Sequence, residues 1–173
     1  MLHYRIHDRL EAAQAPDQCG FRPGIRTEDA LGINETIISG SAEYGIPLWI
    51  ASLDLKKAFD RIEHSSLFDA LRQQGLDQSE IALLLDLYTE QRGSANGSYE
   101  FDVLRGVKQG DTLSSLLFNA GLEHVFRKWK LRLADHGILV QFGQERLSNV
   151  RYADAILLFA KNVDIIRDAD NAK

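Results

Sequence analysis

An apolar run that ends abruptly at an aspartate limits what this chain can fold into. Leu48, Trp49, Ile50, Ala51, Ser52 and Leu53 suit a short strand buried on both faces, with Gly45 and Pro47 punctuating its start. Asp54 is the first charge after the run. A carboxylate at the end of a buried strand lies in low dielectric, where it must be paired, protonated or bound to a cation. For one such residue, a helix cap or a turn is the commoner role. A second stretch shifts the balance. From Asn149 to Ala160 two apolar runs meet at Asp154, as in a tight hairpin. Two strand-end carboxylates from distant parts of a chain can share a divalent metal, and Asp54 and Asp154 are the candidate pair.

The chain has 173 residues, about one domain, and is 45% hydrophobic, enough for a core. Its net charge of -5 argues against gripping nucleic acid by bulk charge but leaves room for a local basic groove. One cysteine, Cys19, precludes an internal disulfide and fits a reducing compartment. The N-terminus lacks a signal-peptide core, and no apolar run approaches membrane-spanning length. The expectation is a soluble intracellular chain, nuclear or cytoplasmic, neither secreted nor in a membrane.

Taken in order, Leu2 to Ala15 reads as a helix ended by Pro16, with His3 and His7 as ordinary surface histidines one turn apart. Gln18 to Gly24 is a turn-rich connector. Thr27 can cap a second helix with Ala30, Ile33, Ile37 and Ile38 inward, closed by Gly40 and Gly45. Ser65 to Gln74 is a helix with Leu67, Phe68 and Leu71 inward, stopped by Gly75. Asp77 with Glu80 makes a capping-box-like start for another helix, with Ile81, Leu84, Leu85 and Tyr88 inward. Gly93 to Gly97 reads as a loop, and Ser98 to Leu104 alternates like a half-exposed strand. Gly106 and Gly110 bracket Lys108 and Gln109 just before a helix running to about Leu133, a weak signal for a phosphate or sugar platform. Ile138–Phe142, Leu147–Tyr152 and Ile156–Ala160 read as strands, and the polar tail after Val163 is expected to fray.

Together these stretches resemble the reverse transcriptases of non-LTR, LINE-like retrotransposons, over residues 18 to about 161. Gln18-Cys19-Gly20-Phe21-Arg22-Pro23-Gly24, with Thr27 and Asp29-Ala30, resembles the block upstream of the first catalytic motif. Ser52 to Asp60 resembles that motif. Arg105-Gly106-Val107-Lys108-Gln109-Gly110-Asp111, then Leu113-Ser114 and Leu117-Phe118-Asn119, resembles the second, and Tyr152-Ala153-Asp154-Ala155 the third. The resemblance implies an α+β fold: a reverse-transcriptase-like palm with an antiparallel sheet, helices packed on one face, partial fingers and no thumb. It implies connecting helices over 1–47, a palm core over 48–161 and a frayed tail over 162–173.

The resemblance also implies two-metal nucleotidyl transfer with magnesium or manganese, in which Asp54 and Asp154 are catalytic metal ligands assisted by the backbone carbonyl of Leu55. Phe59 matches the bulky residue that rejects a 2′-hydroxyl; a plain core phenylalanine is the alternative. Gln109 and Gly110 match positions that meet the incoming nucleotide, and Asp60 is read as structural. The implied partners are an RNA template, a DNA primer, deoxynucleoside triphosphates and the remainder of a longer retrotransposon polyprotein.

Two departures matter. Ala155 stands where the family has a second aspartate, and a methyl cannot bind a cation. Ser115 replaces a proline, a milder change. The expected function is therefore an RNA-directed DNA polymerase fragment with impaired or absent catalysis. The alternative is a non-catalytic remnant that binds nucleic acid or protein. A palm-like nucleotidyl cyclase is disfavoured by the Gln109-Gly110 block.

Overall fold

The structure, a computed structural model, describes residues 2–89, 91–95, 99–135, 140–142 and 145–164. Helices α1 (Leu2–Ala12) and α2 (Thr27–Tyr44) precede strand β1 (Trp49–Asp54). Three helices follow: α3 (Ala58–Arg61), α4 (His64–Gln73) and α5 (Gln78–Tyr88). Strands β2 (Arg92–Ala95) and β3 (Tyr99–Asp102) lead to α6 (Thr112–Asp135). Strands β4 (Val140–Phe142), β5 (Glu145–Leu147), β6 (Asn149–Tyr152) and β7 (Ala155–Ala160) come last. The fold is α+β, and the strand pairings are antiparallel. Among the described residues no helix is long and apolar enough to cross a membrane.

The chain divides into two compact units, one of Met1–Gln14 with Lys56–His124, the other of Ala15–Leu55 with Val125–Lys173. In the first unit the 3.6-residue period works as the sequence indicates. Leu67, Phe68 and Leu71 of α4 are buried, as are Ile81, Leu84 and Tyr88 of α5. Gly75 ends α4 with φ of 90°, a conformation glycine adopts without steric cost. Asp77 accepts from the Glu80 backbone N–H at 2.9 Å, and Glu80 accepts from the Asp77 N–H at 3.0 Å, completing the capping box. Glu80 is fully buried, and Arg5 (3.1 Å) and Arg9 pair with it, which ties α1 to the start of α5.

In the second unit the sheet order is β1-β7-β6. Asp54 lies opposite Ala155, and Tyr152 also pairs with Ala155, so β6 and β7 join through a turn of Ala153 and Asp154. Cys19, Ala30, Ile37, Val150 and Phe159 form the core that seats α2 on β6 and β7. Arg151, pointing the other way from Val150, lies over the Phe126 ring of α6 at 4.3 Å. Asn149, Val150 and Arg151 are all buried, so β6 is covered on both sides.

Several local expectations are corrected. β1 is an edge strand and not one buried on both faces; Trp49 is 49% and Ile50 42% exposed. An apolar run specifies a strand but not its place in a sheet. Asp54 at its end is exposed rather than in low dielectric. Thr27 is the first helical residue of α2; the N-cap is Arg26, whose N–H donates to the Asp29 carboxylate at 2.7 Å. Gly40 lies inside α2, and only Gly45, with φ of 61°, ends it. Ile33 and Ile38 are exposed, while Ser41 is buried with its hydroxyl donating to the Ile46 carbonyl. Gly93 belongs to β2, paired with Phe101, rather than to a loop. Asn96 to Ser98, the first two residues of the expected strand Ile138–Phe142, Gly143, and the tail from 165 onward lie outside the described residues.

Candidate functional site

The two candidate metal ligands both fall in the second unit, and the strand pairing brings them together. Asp54 ends β1 opposite Ala155, while Asp154 is the residue just before Ala155. The Leu55 N–H donates to the Asp154 carbonyl at 3.3 Å, stitching the end of β1 to the turn. Asp54 and Ala155 are exposed and Asp154 half-exposed, so the edge carrying them is open to solvent. Register puts Asp54 and Ala155 on the same face of the sheet. Among the described residues no group of three or more acidic, histidine or cysteine side chains is arranged to hold a metal. Two aspartates adjacent in the backbone pairing, without a third, would suit one hydrated magnesium ion better than a pair of ions.

The turn is held by a segment whose contacts span the length of the chain. Arg151 N–H donates to the Asp17 carbonyl at 2.7 Å and Cys19 N–H to the Arg151 carbonyl at 2.8 Å, extending the sheet past β6. The Asp17 carboxylate accepts from Arg151 Nε at 3.1 Å and Lys130 Nζ at 2.5 Å, and from the Asn149 amide. Burial by itself would raise the Asp17 carboxyl, but Arg151 and Lys130 outweigh it and hold the group below its ordinary value. Burial also pushes the Cys19 thiol up, so it is an unreactive packing residue. Gln18 is fully buried against Ala153, and Thr27 donates to the Tyr152 hydroxyl at 2.9 Å. A Cβ at Gly20 would lie 2.1 Å from the Ala153 nitrogen, so only glycine fits there.

The candidate nucleotide residues Phe59, Gln109 and Gly110 fall in the first unit. Phe59 is half-buried and stacks flat on Phe118, with ring centroids 4.2 Å apart and planes at 1°. Its partial burial suits both readings of that residue. The Val107 N–H donates to the Phe59 carbonyl at 2.9 Å, and a Cβ on Gly106 would meet Asp60 Cα at 2.9 Å. That close approach, with φ of 92°, explains the first glycine of the Gly106–Gly110 block. Gly110 has open space around it and is required instead by φ of 89°. Asp111 then caps α6 by accepting from the Leu113 N–H at 3.0 Å. Asp60, Arg92, Arg105, Lys108 and Gln109 line an open cleft in this unit. Three of these are cations, but Arg92 pairs with Glu100 and Asp102, Arg105 pairs with Glu63, and Asp60 lines the same cleft, so the surface carries both signs of charge.

Sequence reasoning missed the roles of Asp17, Gln18, Gly20 and Arg151. Gln18 and Gly20 lie in the block that carries the resemblance, but their partners are more than 130 residues away. Only the presence of an arginine inside an apolar strand hinted at the Asp17 pair.

Residues 1–170 match the family profile described as reverse transcriptase (RNA-dependent DNA polymerase). The chain is 33% identical over 150 residues to the Pol polyprotein of a type-2 retrotransposable element of Drosophila melanogaster, covering 84% of this chain and 14% of that protein. It is 34% identical over 169 residues to the Pol polyprotein of the type-1 retrotransposable element R2 of Popillia japonica, covering 94% of this chain and 23% of that protein. The chain thus spans less than a quarter of either relative. Among solved structures, apo telomerase from Candida tropicalis matches with a TM-score of 0.70 at 15% identity, covering 98% of this chain and 35% of that one. At that identity the likeness speaks for the fold.

Proposed function

This chain belongs to the reverse transcriptase (RNA-dependent DNA polymerase) family, and from that premise we propose that it is the palm region of a retrotransposon polymerase whose nucleotidyl transfer is impaired. The observation that supports the proposal is the pairing of Asp54 with Ala155, which follows Asp154 and bears a methyl where the family would carry a third carboxylate. Reverse transcriptases use divalent metal ions; here Asp54, Asp154 and the Leu55 carbonyl would hold magnesium or manganese. When bound, such an ion supplies positive charge to the transferring phosphoryl group and its attacking oxygen. Phe59 would contact the sugar and exclude a 2′-hydroxyl, while Gln109 and Gly110 would meet the incoming deoxynucleoside triphosphate. Lys108, which lines the open cleft, would add attraction for the phosphates of an RNA template or DNA primer. We place the protein inside the cell, as part of a longer polyprotein.

Two ions a few ångströms apart repel each other, and carboxylates must offset that repulsion. With Ala155, two carboxylates face that task until a triphosphate arrives. Losing roughly 3 kcal/mol of transition-state stabilisation slows a reaction by about a hundredfold. Ala155 also favours a second reading, a remnant that has kept the fold and binds nucleic acid or protein without catalysis. The test is primer extension on an RNA template, with magnesium and with manganese, by the longer polyprotein that contains this chain. One form keeps Ala155 and the other carries Ala155→Asp. Synthesis only with Ala155→Asp supports the impaired polymerase, and equal synthesis from both would show the third carboxylate dispensable. No synthesis from either favours the binding remnant.

A further inference from the structure

We infer that Gln18 is a positioning residue: its buried side chain locks Ala153 in a left-handed turn and thereby sets where Asp154 stands relative to Asp54. The inference rests on the reading of Asp154 as a metal ligand.

Ala153 has φ of 56°, in the left-handed region that costs a residue with a Cβ appreciable energy. Two-residue hairpin turns at such angles ordinarily use glycine or asparagine. Alanine supplies neither the freedom nor a side-chain hydrogen bond, so the conformation must be imposed from outside. Gln18 imposes it. Its Oε1 accepts from the Ala153 N–H at 3.1 Å and from the Gly20 N–H at 2.9 Å. Its Nε2 donates to the Ala153 carbonyl at 3.3 Å. Two N–H groups on one side and a carbonyl on the other fix which end of the amide is oxygen. Gln18 thus reads both backbone groups of one residue, which only a side chain with a donor and an acceptor can do.

The side chain is itself held. Gln18 is fully buried, its backbone bridges to Arg151, and the absence of a Cβ at Gly20 lets the segment press against Ala153. Ala153 is bonded directly to Asp154, whose carbonyl accepts from the Leu55 N–H at the end of β1. The path from Gln18 to Asp54 is therefore short and covalent except for two sets of hydrogen bonds. Aspartate spacing matters because a magnesium ion demands nearly ideal octahedral geometry from few protein ligands.

The Leu55 amide reports on the Asp154 position without metal or activity. Amide hydrogen exchange of the 173-residue chain would be followed by NMR at Ala153, Leu55 and, as reference within the same unit, Phe159, whose N–H donates to Ser148. In Gln18→Leu we expect Ala153 and Leu55 to exchange about tenfold faster, the worth of one lost buried hydrogen bond, while Phe159 keeps its rate. Adding Ala153→Gly, which favours the left-handed conformation unaided, should restore protection at Leu55. If Gln18→Leu does not fold, Gln18→Asn, too short to span both backbone groups, is read in the same way. Wild-type exchange at Leu55 would overturn the inference. So would equal acceleration at Leu55 and Phe159, or failure of Ala153→Gly to restore Leu55. Manganese broadening of the Leu55 and Asp154 resonances separates the two claims. If the wild-type chain shows none, the metal reading fails, while the exchange rates still decide the role of Gln18.

Discussion

Replacing Ala155 with aspartate tests the site through stability, before any chemistry. Asp54 and position 155 are directly paired across antiparallel strands, so their Cβ atoms stand about 5 Å apart on one face. Two exposed like charges at ~5 Å in water repel by about 0.8 kcal/mol. For a chain of this size that lowers the melting temperature by roughly 2–3 °C. Ala155→Asn is the control, since it shares the shape and the strand propensity of aspartate without its charge. The assay is thermal unfolding of the three proteins in EDTA at low ionic strength, then in millimolar magnesium. In EDTA, Ala155→Asp should melt below Ala155→Asn by that margin, and added salt should shrink the gap. Magnesium should reverse the order, because a cation bound between the carboxylates stabilises the folded state that holds it. Equal melting of the two variants in EDTA would refute the register-based geometry. Equal magnesium responses would refute the metal site.

Asp17→Asn should destabilise the fold by about 3 kcal/mol at neutral pH, because buried Arg151 would lose its ion pair with the Asp17 carboxylate. The Asp17 carboxyl is depressed in the folded state, so its stabilisation is complete above the ordinary carboxylate range and is lost as pH falls through the folded value. Urea titrations should therefore show the gap between wild type and Asp17→Asn closing below about pH 4; a gap constant with pH would refute the ion pair. Gly20→Ala should cost at least ~2 kcal/mol, since the clash is with backbone and cannot be relieved by a rotamer change. A denaturation midpoint unchanged from wild type would show that the Gly20 segment does not press on the turn. Cys19 should react with a thiol reagent far more slowly than a free thiol at the same pH, as its burial and raised pKa dictate. Rapid labelling of the native protein would contradict that placement.

What was legible in the sequence follows from local rules. The 3.6-residue spacing of Leu67 with Leu71, and of Ile81 with Leu84 and Tyr88, identified the buried faces of α4 and α5. The Asp77–Glu80 capping box and the turn at Asp154 were equally plain, because both depend on neighbours in the chain. Strand location was not. Trp49 and Ile50 read as core, yet β1 is an edge strand, and nothing in six residues records which neighbours they pair with. Gly93 read as a loop because glycine weakens strands on average, but pairing with Phe101 overrides that preference. The support for the turn was hidden for the same reason. Gln18 and Ala153 are 135 positions apart, and a buried glutamine is indistinguishable from a surface one until the fold brings it to its partner.

The central claim is that Asp54 and Asp154 form a metal site reduced to two carboxylates. Magnesium titration of the 173-residue chain, followed at the Leu55 and Asp154 amide resonances, tests it most directly, with Asp54→Asn as the control. Saturable shifts with a dissociation constant in roughly the millimolar range, abolished by Asp54→Asn, are predicted. Tight binding of two ions, or shifts that survive Asp54→Asn, would contradict the claim.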